Sequence, residues 1–403
     1  MSFVKKILFT VVFLCLCAGV FFAVGEIAFR LAKGKSNPLY DITQKNTQYL
    51  FAPGMKLHQV SSVDGEYDYF AHINSFGYRG KDFDAVKPAG VARVLVMGDS
   101  FTFGVGVEDE QTIPSVLETI LAAQDYPVQV INAGIGHASP IRHYVNFRDI
   151  HSKFKPDVVV LLLDLTDLWD DWHSERNAVY DNYGDIARFD PTYINGKKNY
   201  WITMMNYSAF CQWIDKKIVR TFTKIQALGF LNYMKAAIKG KRAKGEIATS
   251  ESVLEDKKIE HDGLLFMRGE SERNLITKHW QRTAKYISKI KDLCLKENIP
   301  FVLVMYPHGI YAGENEWNEG RKTWNFETGK VYTDYLPFDI GQSYAERENI
   351  IFINALTYFI TAPKDKKYFF DWDGHMTQDG YRLVAEAIAQ DKNFLKLLNK
   401  KNN

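Results

Sequence analysis

The stretch VLVMGDSFTFGVGV, residues 94–107, passes from an unbroken apolar run into Gly-Asp-Ser and then into a glycine-containing loop. Short apolar runs with no polar interruption suit strands buried on both faces of a parallel sheet. In such a sheet the ligand crevice lies outside the carboxyl ends of the strands, so a serine on the turn that ends one stands where substrates bind. Ser100 is therefore the first candidate nucleophile. Gly, Asp and Ser are also ordinary turn and cap residues, and the triplet needs support from elsewhere in the chain.

Four further runs share the apolar character: VQVIN (128–132), DVVVLLLD (157–164), FVLVMY (301–306) and IIFIN (350–354). Helical periodicity lies around and between them at 112–124, 141–154, 273–297 and 378–390. Alternation of this kind predicts an α/β fold, a three-layer α/β/α sandwich around a mostly parallel, flavodoxin-like five-stranded sheet. The hydrolytic domain expected from this pattern occupies residues 93–171 and 273–403. Residues 172–272 interrupt it with an aromatic, polar part, a helical part near 208–239 and the Lys/Glu-rich KGKRAKGEIATSESVLEDKK. At a strand's carboxyl end such an insertion is either a lid beside the crevice or a surface subdomain. Residues 36–92 form a polar extension expected to pack on the core.

The first residues, MSFVKKILFTVVFLCLCAGVFFAVGEIAFRLAKGK, place two lysines before an apolar run from 7 to 24. The run exceeds the apolar core of a cleaved leader, about 7–15 residues, although Ala23-Val24-Gly25 resembles a cleavage site. Residues 1–35 are therefore expected to be a single-pass anchor, with Lys5 and Lys6 cytoplasmic and the remainder on the extracytoplasmic, periplasmic side.

Across 403 residues, 50 Lys+Arg against 48 Asp+Glu leave a net charge of +2, which excludes a field suited to nucleic acid. No His, Cys or acidic set has metal-ligand spacing, and GVGVEDE lacks the phosphate-loop lysine and the dinucleotide fingerprint. Neither metal nor cofactor is expected. Cys211 and Cys294 lie far apart in sequence, and a disulfide between them is left open.

A serine hydroxyl becomes nucleophilic when a base accepts its proton and a third group orients that base. FFDWDGHMTQDGYRLVAEAI, residues 369–388, offers His375 on a glycine turn before a helix whose apolar face runs through Tyr381, Val384, Ala385 and Ile388. Asp373 and Asp371 lie upstream. In an extended segment residues two apart project to one side, which favours Asp373 as the orienting acid over Asp371.

GDSFTFGVG after one strand, NAGIGHASP after the next and Asp-x-His before the last helix together resemble the SGNH, or GDSL, lipase/esterase superfamily over roughly residues 93–393. NSFGYRG, residues 74–80, is similar to a segment found in membrane-anchored bacterial members. The resemblance implies Ser100 as nucleophile, His375 as general base and acid, and Asp373 as its partner. The family's usual acid position holds Trp372; the spacing found here occurs in some polysaccharide O-acetylation branches. It also implies an oxyanion hole from the backbone N–H groups of Ser100 and Gly134. A third donor, normally asparagine, falls on Thr166 of LLLDLTDLWDD, where a helix cap is the alternative.

The function implied is a serine esterase acting on O-acetyl or O-acyl groups of cell-envelope or exported carbohydrate. The alternatives are a polysaccharide O-acetyltransferase with the same triad, a lysophospholipase or thioesterase acting on lipid esters, and a non-catalytic polysaccharide-binding component. Among other residues, His137 and His308 read as solvated loop histidines and Arg142 and His143 as surface groups. Trp169 and Trp172 read as packing residues more readily than as sugar platforms.

Overall fold

The computed structural model describes residues 3–33, 50–63, 65–190, 193–194, 197–198, 200, 208, 210 and 262–399. The chain divides into two compact units, Met1–Asn46 with Arg176–Leu254, and Thr47–Glu175 with Glu255–Asn403. The second unit contains the sheet. It also holds the hairpin that precedes the sheet.

The sheet contains β3 (Ala92–Gly98), β4 (Val128–Gly134), β5 (Val158–Leu163), β10 (Phe301–Met305) and β11 (Ile351–Asn354). Its order is β11-β10-β5-β3-β4 and every pairing is parallel. That is the flavodoxin-like order, with the switch point between β3 and β5, so the strand that leads to Ser100 lies at the switch point. All residues of β3, β5 and β10 are buried, as their uninterrupted apolar sequences require.

Helices cover both faces. α3 (Ile113–Ala123) packs with α8 (Gln378–Gln390), and α4 (Pro140–Asp149) packs with α6 (Arg273–Lys296). α3 begins where Thr112 accepts a hydrogen bond from the Ser115 N–H, with proline inside the first turn. α8 begins in the same way, Thr377 capping the Gly380 N–H, and buries Tyr381, Val384, Ala385 and Ile388. α7 (Leu336–Glu348) lies against β11.

Ahead of the sheet, β1 (Lys56–Val60) and β2 (Asp68–His72) form an antiparallel hairpin. Tyr69, Ala71 and Ile73 bury themselves with Phe103, on the turn just past β3. Arg79, whose side chain is fully buried, donates to the carbonyls of Phe103, Gly104 and Val107 and pairs with Asp109 at 2.7 Å. A desolvated guanidinium is tolerated only with its donors so occupied, and the effect is to tie the loop after Ser100 to the extension.

In the first unit, α1 (Phe3–Lys33) is a single helix of 31 residues. Glu26 accepts from the Ser208 hydroxyl at 2.6 Å and the Phe210 N–H at 3.0 Å, while Phe210 meets Phe21 and Phe22 edge-on. Two short hairpins follow, β6 (Ala178–Tyr180) with β7 (Ile186–Phe189), and β8 (Tyr193–Ile194) with β9 (Lys197–Lys198). Phe9, Phe13, Leu14, Leu16, Val20, Phe21 and Val24 of α1 are exposed. Among the described residues no helix is long and apolar enough to cross a membrane, so the expected transmembrane helix is not supplied by the structure. The helical part expected near 208–239 and the Lys/Glu-rich run lie outside the described residues, apart from Ser208 and Phe210. Cys294 is a free, buried thiol, which removes the disulfide left open with Cys211.

Candidate active site

Asp99 follows β3 with non-helical backbone and caps a one-turn helix, α2 (Ser100–Phe103), its carboxylate accepting the Phe101 N–H at 2.9 Å. Gly104, at φ 95°, closes that turn by donating to the Ser100 carbonyl at 2.9 Å. Ser100 is thus the first residue of a helix whose early N–H groups have no helical acceptor.

His375 reaches this serine from the turn before α8. Its Nε2 lies 2.8 Å from Ser100 Oγ, and its Nδ1 is hydrogen-bonded to Asp373 Oδ1. Phe101 packs beside the imidazole with ring centroids 4.6 Å apart. The segment that carries Asp373 and His375 is a turn and not an extended strand. Phe370 N–H donates to the His375 carbonyl at 2.9 Å, Gly374 sits at φ 89°, and Asp373 Oδ1 also lies 3.3 Å from the His375 N–H. The aspartate expected from extended geometry therefore reaches the imidazole through a tight bend, which only glycine adopts without strain. Asp371 points elsewhere: its carboxylate pairs with Lys367 at 2.7 Å and its carbonyl accepts the N–H groups of Glu319 and Gly320.

Burial opposes the charge on Asp373, but its hydrogen bond and ion pair with His375, joined by one from the Tyr67 hydroxyl, hold it below the usual carboxylate range. Tyr67, on the hairpin, donates to Asp373 Oδ2 at 3.0 Å.

The expected oxyanion donors are placed less simply. Gly134 ends β4 where a Cβ would come within 2.1 Å of Phe103 N, so glycine is required by the close approach of α2. Its N–H donates to Asn132 Oδ1 at 3.0 Å. The Thr166 hydroxyl donates to Asp164 Oδ2 at 2.5 Å, with Asp170 Oδ2 at 3.3 Å. A hydroxyl has one proton, and here a carboxylate already takes it. Thr166 is thereby placed as part of a buried acidic network and not as a free donor.

That network had no counterpart in the sequence reading. His308, expected in solvent, is buried and bonded through Nε2 to Asp164 at 2.7 Å. Burial opposes the Asp164 charge, yet His308 and Thr166 hold its pKa down at about 2. Asp99 and Asp167 are pushed well up, by burial first and then by neighbouring carboxylates. His143, expected at the surface, is also buried, and burial presses its pKa down to about 3. Arg142 bonds to Ser174 at 2.7 Å. The His137 side chain is 90% exposed, as expected, on a backbone at φ 59°. On α5 (Asp167–Arg176), Trp169 and Trp172 are half-buried and pack edge-on against His173. Among the described residues no group of His, Cys, Asp or Glu could hold a metal ion.

No protein-family model matches the chain, and no curated protein matches it. Solved structures similar to it include a GDSL-like lipase from Bacteroides thetaiotaomicron VPI-5482, at 13% identity over 75% of this chain and 88% of that one, TM-score 0.31. A catalytic mutant of an acetylxylan esterase from Geobacillus stearothermophilus shares 14% identity over 76% and 94%, TM-score 0.33. TesA shares 12% identity over 76% and 99%, also at TM-score 0.33.

Proposed function

We propose that this protein is a serine esterase of the SGNH type that cleaves O-acyl esters, with O-acetyl groups of cell-envelope or exported carbohydrate as the substrate class. The observation that carries the reading is the 2.8 Å approach of His375 Nε2 to Ser100 Oγ with Asp373 behind the ring. A nucleophile, a base and an orienting carboxylate in that sequence perform acyl transfer.

In the cycle, Ser100 Oγ bonds to the ester carbonyl carbon while its proton moves to His375 Nε2. The carbon–oxygen bond to the alcohol then breaks, and His375 returns the proton to the departing oxygen. Water gives a proton to His375 as it attacks the acyl-serine; the bond from the acyl carbon to Ser100 Oγ then breaks, His375 returns the proton to Oγ, and release of the acid restores Ser100. The Ser100 N–H, at the start of α2, is the first backbone donor assigned to the developing oxyanion. The Gly134 N–H joins it by exchanging its bond with Asn132.

The carbohydrate assignment is supported by the Asp-x-His spacing and by the proposed location. That location is the extracytoplasmic side, a reading supported by the apolar run at 7–24 behind Lys5 and Lys6. A panel of nitrophenyl esters from acetyl to long-chain, measured with Ser100→Ala as blank, tests the reading. Preference for acetyl supports it. Preference for long chains rejects the carbohydrate class, and equal rates for wild type and Ser100→Ala reject the esterase.

A further inference from the structure

The turn between β1 and β2 meets the loop that carries the proposed acid and base, 306 residues away. The Tyr67 hydroxyl donates to Asp373 Oδ2, the oxygen that His375 does not use. Glu66 accepts two backbone N–H groups of the same loop, Trp372 at 2.7 Å and Asp373 at 3.2 Å. The Tyr67 ring packs on Phe370 with centroids 5.2 Å apart. The hairpin is itself held to the nucleophile side: its buried face packs on Phe103, and its Phe70 and His72 N–H groups donate to Glu108 and Asp109.

Resting on the esterase reading above, we infer that Tyr67 is a positioning residue of the reaction, its hydroxyl locking the rotation of the Asp373 carboxylate so that Oδ1 faces His375 Nδ1 while Glu66 fixes the backbone beneath it.

The need for such a clamp follows from the loop. Gly374 is in the left-handed region and Trp372 is 47% exposed, so the backbone that carries the aspartate is held by its hydrogen bonds more than by core packing. A carboxylate held by one donor can pivot about that bond; a second donor on the other oxygen removes the pivot. An imidazole keeps its tautomer and direction only while the group behind it stays fixed. The hairpin thus links both halves of the proposed machinery, through Phe103 to the Ser100 turn and through Tyr67 to Asp373.

The test is Tyr67→Phe in the full-length protein, which keeps the ring on Phe370 and removes only the hydroxyl. The expected result is a fall in kcat for nitrophenyl acetate of about 10-fold to 100-fold with KM little changed, and an acid limb of kcat/KM moved to higher pH. The sign follows because a carboxylate that loses a donor becomes more basic and better stabilises protonated His375. The other groups facing this pair, Glu66, Tyr69, Tyr381 and His137, are unaltered in the variant. A second readout is the proton shared by His375 Nδ1 and Asp373, expected as a far-downfield proton resonance in wild type that broadens or moves upfield in Tyr67→Phe. Unchanged kcat and pH profile in an active enzyme would overturn the inference and leave the esterase reading standing. A lower kcat with an unmoved acid limb and an intact resonance would also overturn it, because that pattern marks a structural role alone. Wild type no faster than Ser100→Ala on every ester would remove the esterase reading, and this inference with it.

Discussion

His375 Nε2 stands 2.8 Å from Ser100 Oγ although 275 residues separate them in sequence. The first strand of the sheet delivers the serine, and the bend before the last long helix delivers the imidazole. Neither local segment has a reason to form this contact alone; the parallel sheet, with its switch point between β3 and β5, brings them together.

The two aspartates upstream of His375 should separate cleanly. Asp373→Asn removes the carboxylate behind the imidazole, and an esterase rate is expected to fall on the order of 10⁴-fold. Asp371→Asn, which loses only an exposed pair with Lys367, is expected to keep its rate within about twofold, since exposed pairs contribute little. Steady-state rates on one ester for both variants decide the assignment; the reverse ranking would move the acid to Asp371.

Thr166→Val tests whether the hydroxyl serves the oxyanion or the buried network. With its proton already given to Asp164, the expected effect is a loss of about 1–3 kcal/mol of stability with kcat nearly unchanged. Denaturant unfolding and ester turnover measured together are sufficient. Intact stability with a 10²–10³-fold drop in kcat would restore the donor role.

Asp170 should make the fold less stable as pH rises. Burial first, then the charges of Asp164 and Asp171, push its pKa up to about 8, against an ordinary value of about 4. The unfolded chain ionises this group above about pH 4 while the folded chain keeps it neutral, so its contribution is fully present below that pH and lost as pH climbs to about 8. Asp170→Asn removes the titration. The fall in melting temperature between pH 5 and pH 8.5 is expected to be smaller in the variant than in wild type, and an equal or larger fall would contradict the assignment.

Gly134→Ala puts a methyl 2.1 Å from Phe103 N and 2.5 Å from the Thr102 carbonyl carbon, both rigid backbone. The helix that carries Ser100 must shift, with an expected cost of about 1–3 kcal/mol and loss of the serine's reactivity. Thermal unfolding and the rate of labelling of Ser100 report the two effects. A fully stable, fully reactive variant would show that the close approach is not needed.

Much of this architecture could be read from the chain because buried parallel strands write themselves as unbroken apolar runs. RVLVM and DVVVLLLD leave no choice of face, and the five runs became the five strands. That Ser100 and His375 lie together is legible from their positions at element ends. Tyr67 was not, because its bond to Asp373 joins the two ends of the chain and leaves no local pattern. His308 misled for a related reason: it follows a strand as a loop residue does, and only the fold places Asp164 of another strand against it. Asp373 meets His375 by a different geometry from the extended one, since a glycine at positive φ turns a segment that alternation alone would extend.

The most direct measurement is labelling of the full-length protein with a fluorophosphonate followed by peptide mass analysis. The expected result is a single adduct on Ser100, absent in Ser100→Ala and formed far more slowly in His375→Ala. An adduct on a different residue, or labelling of wild type no faster than of Ser100→Ala, would contradict the central claim.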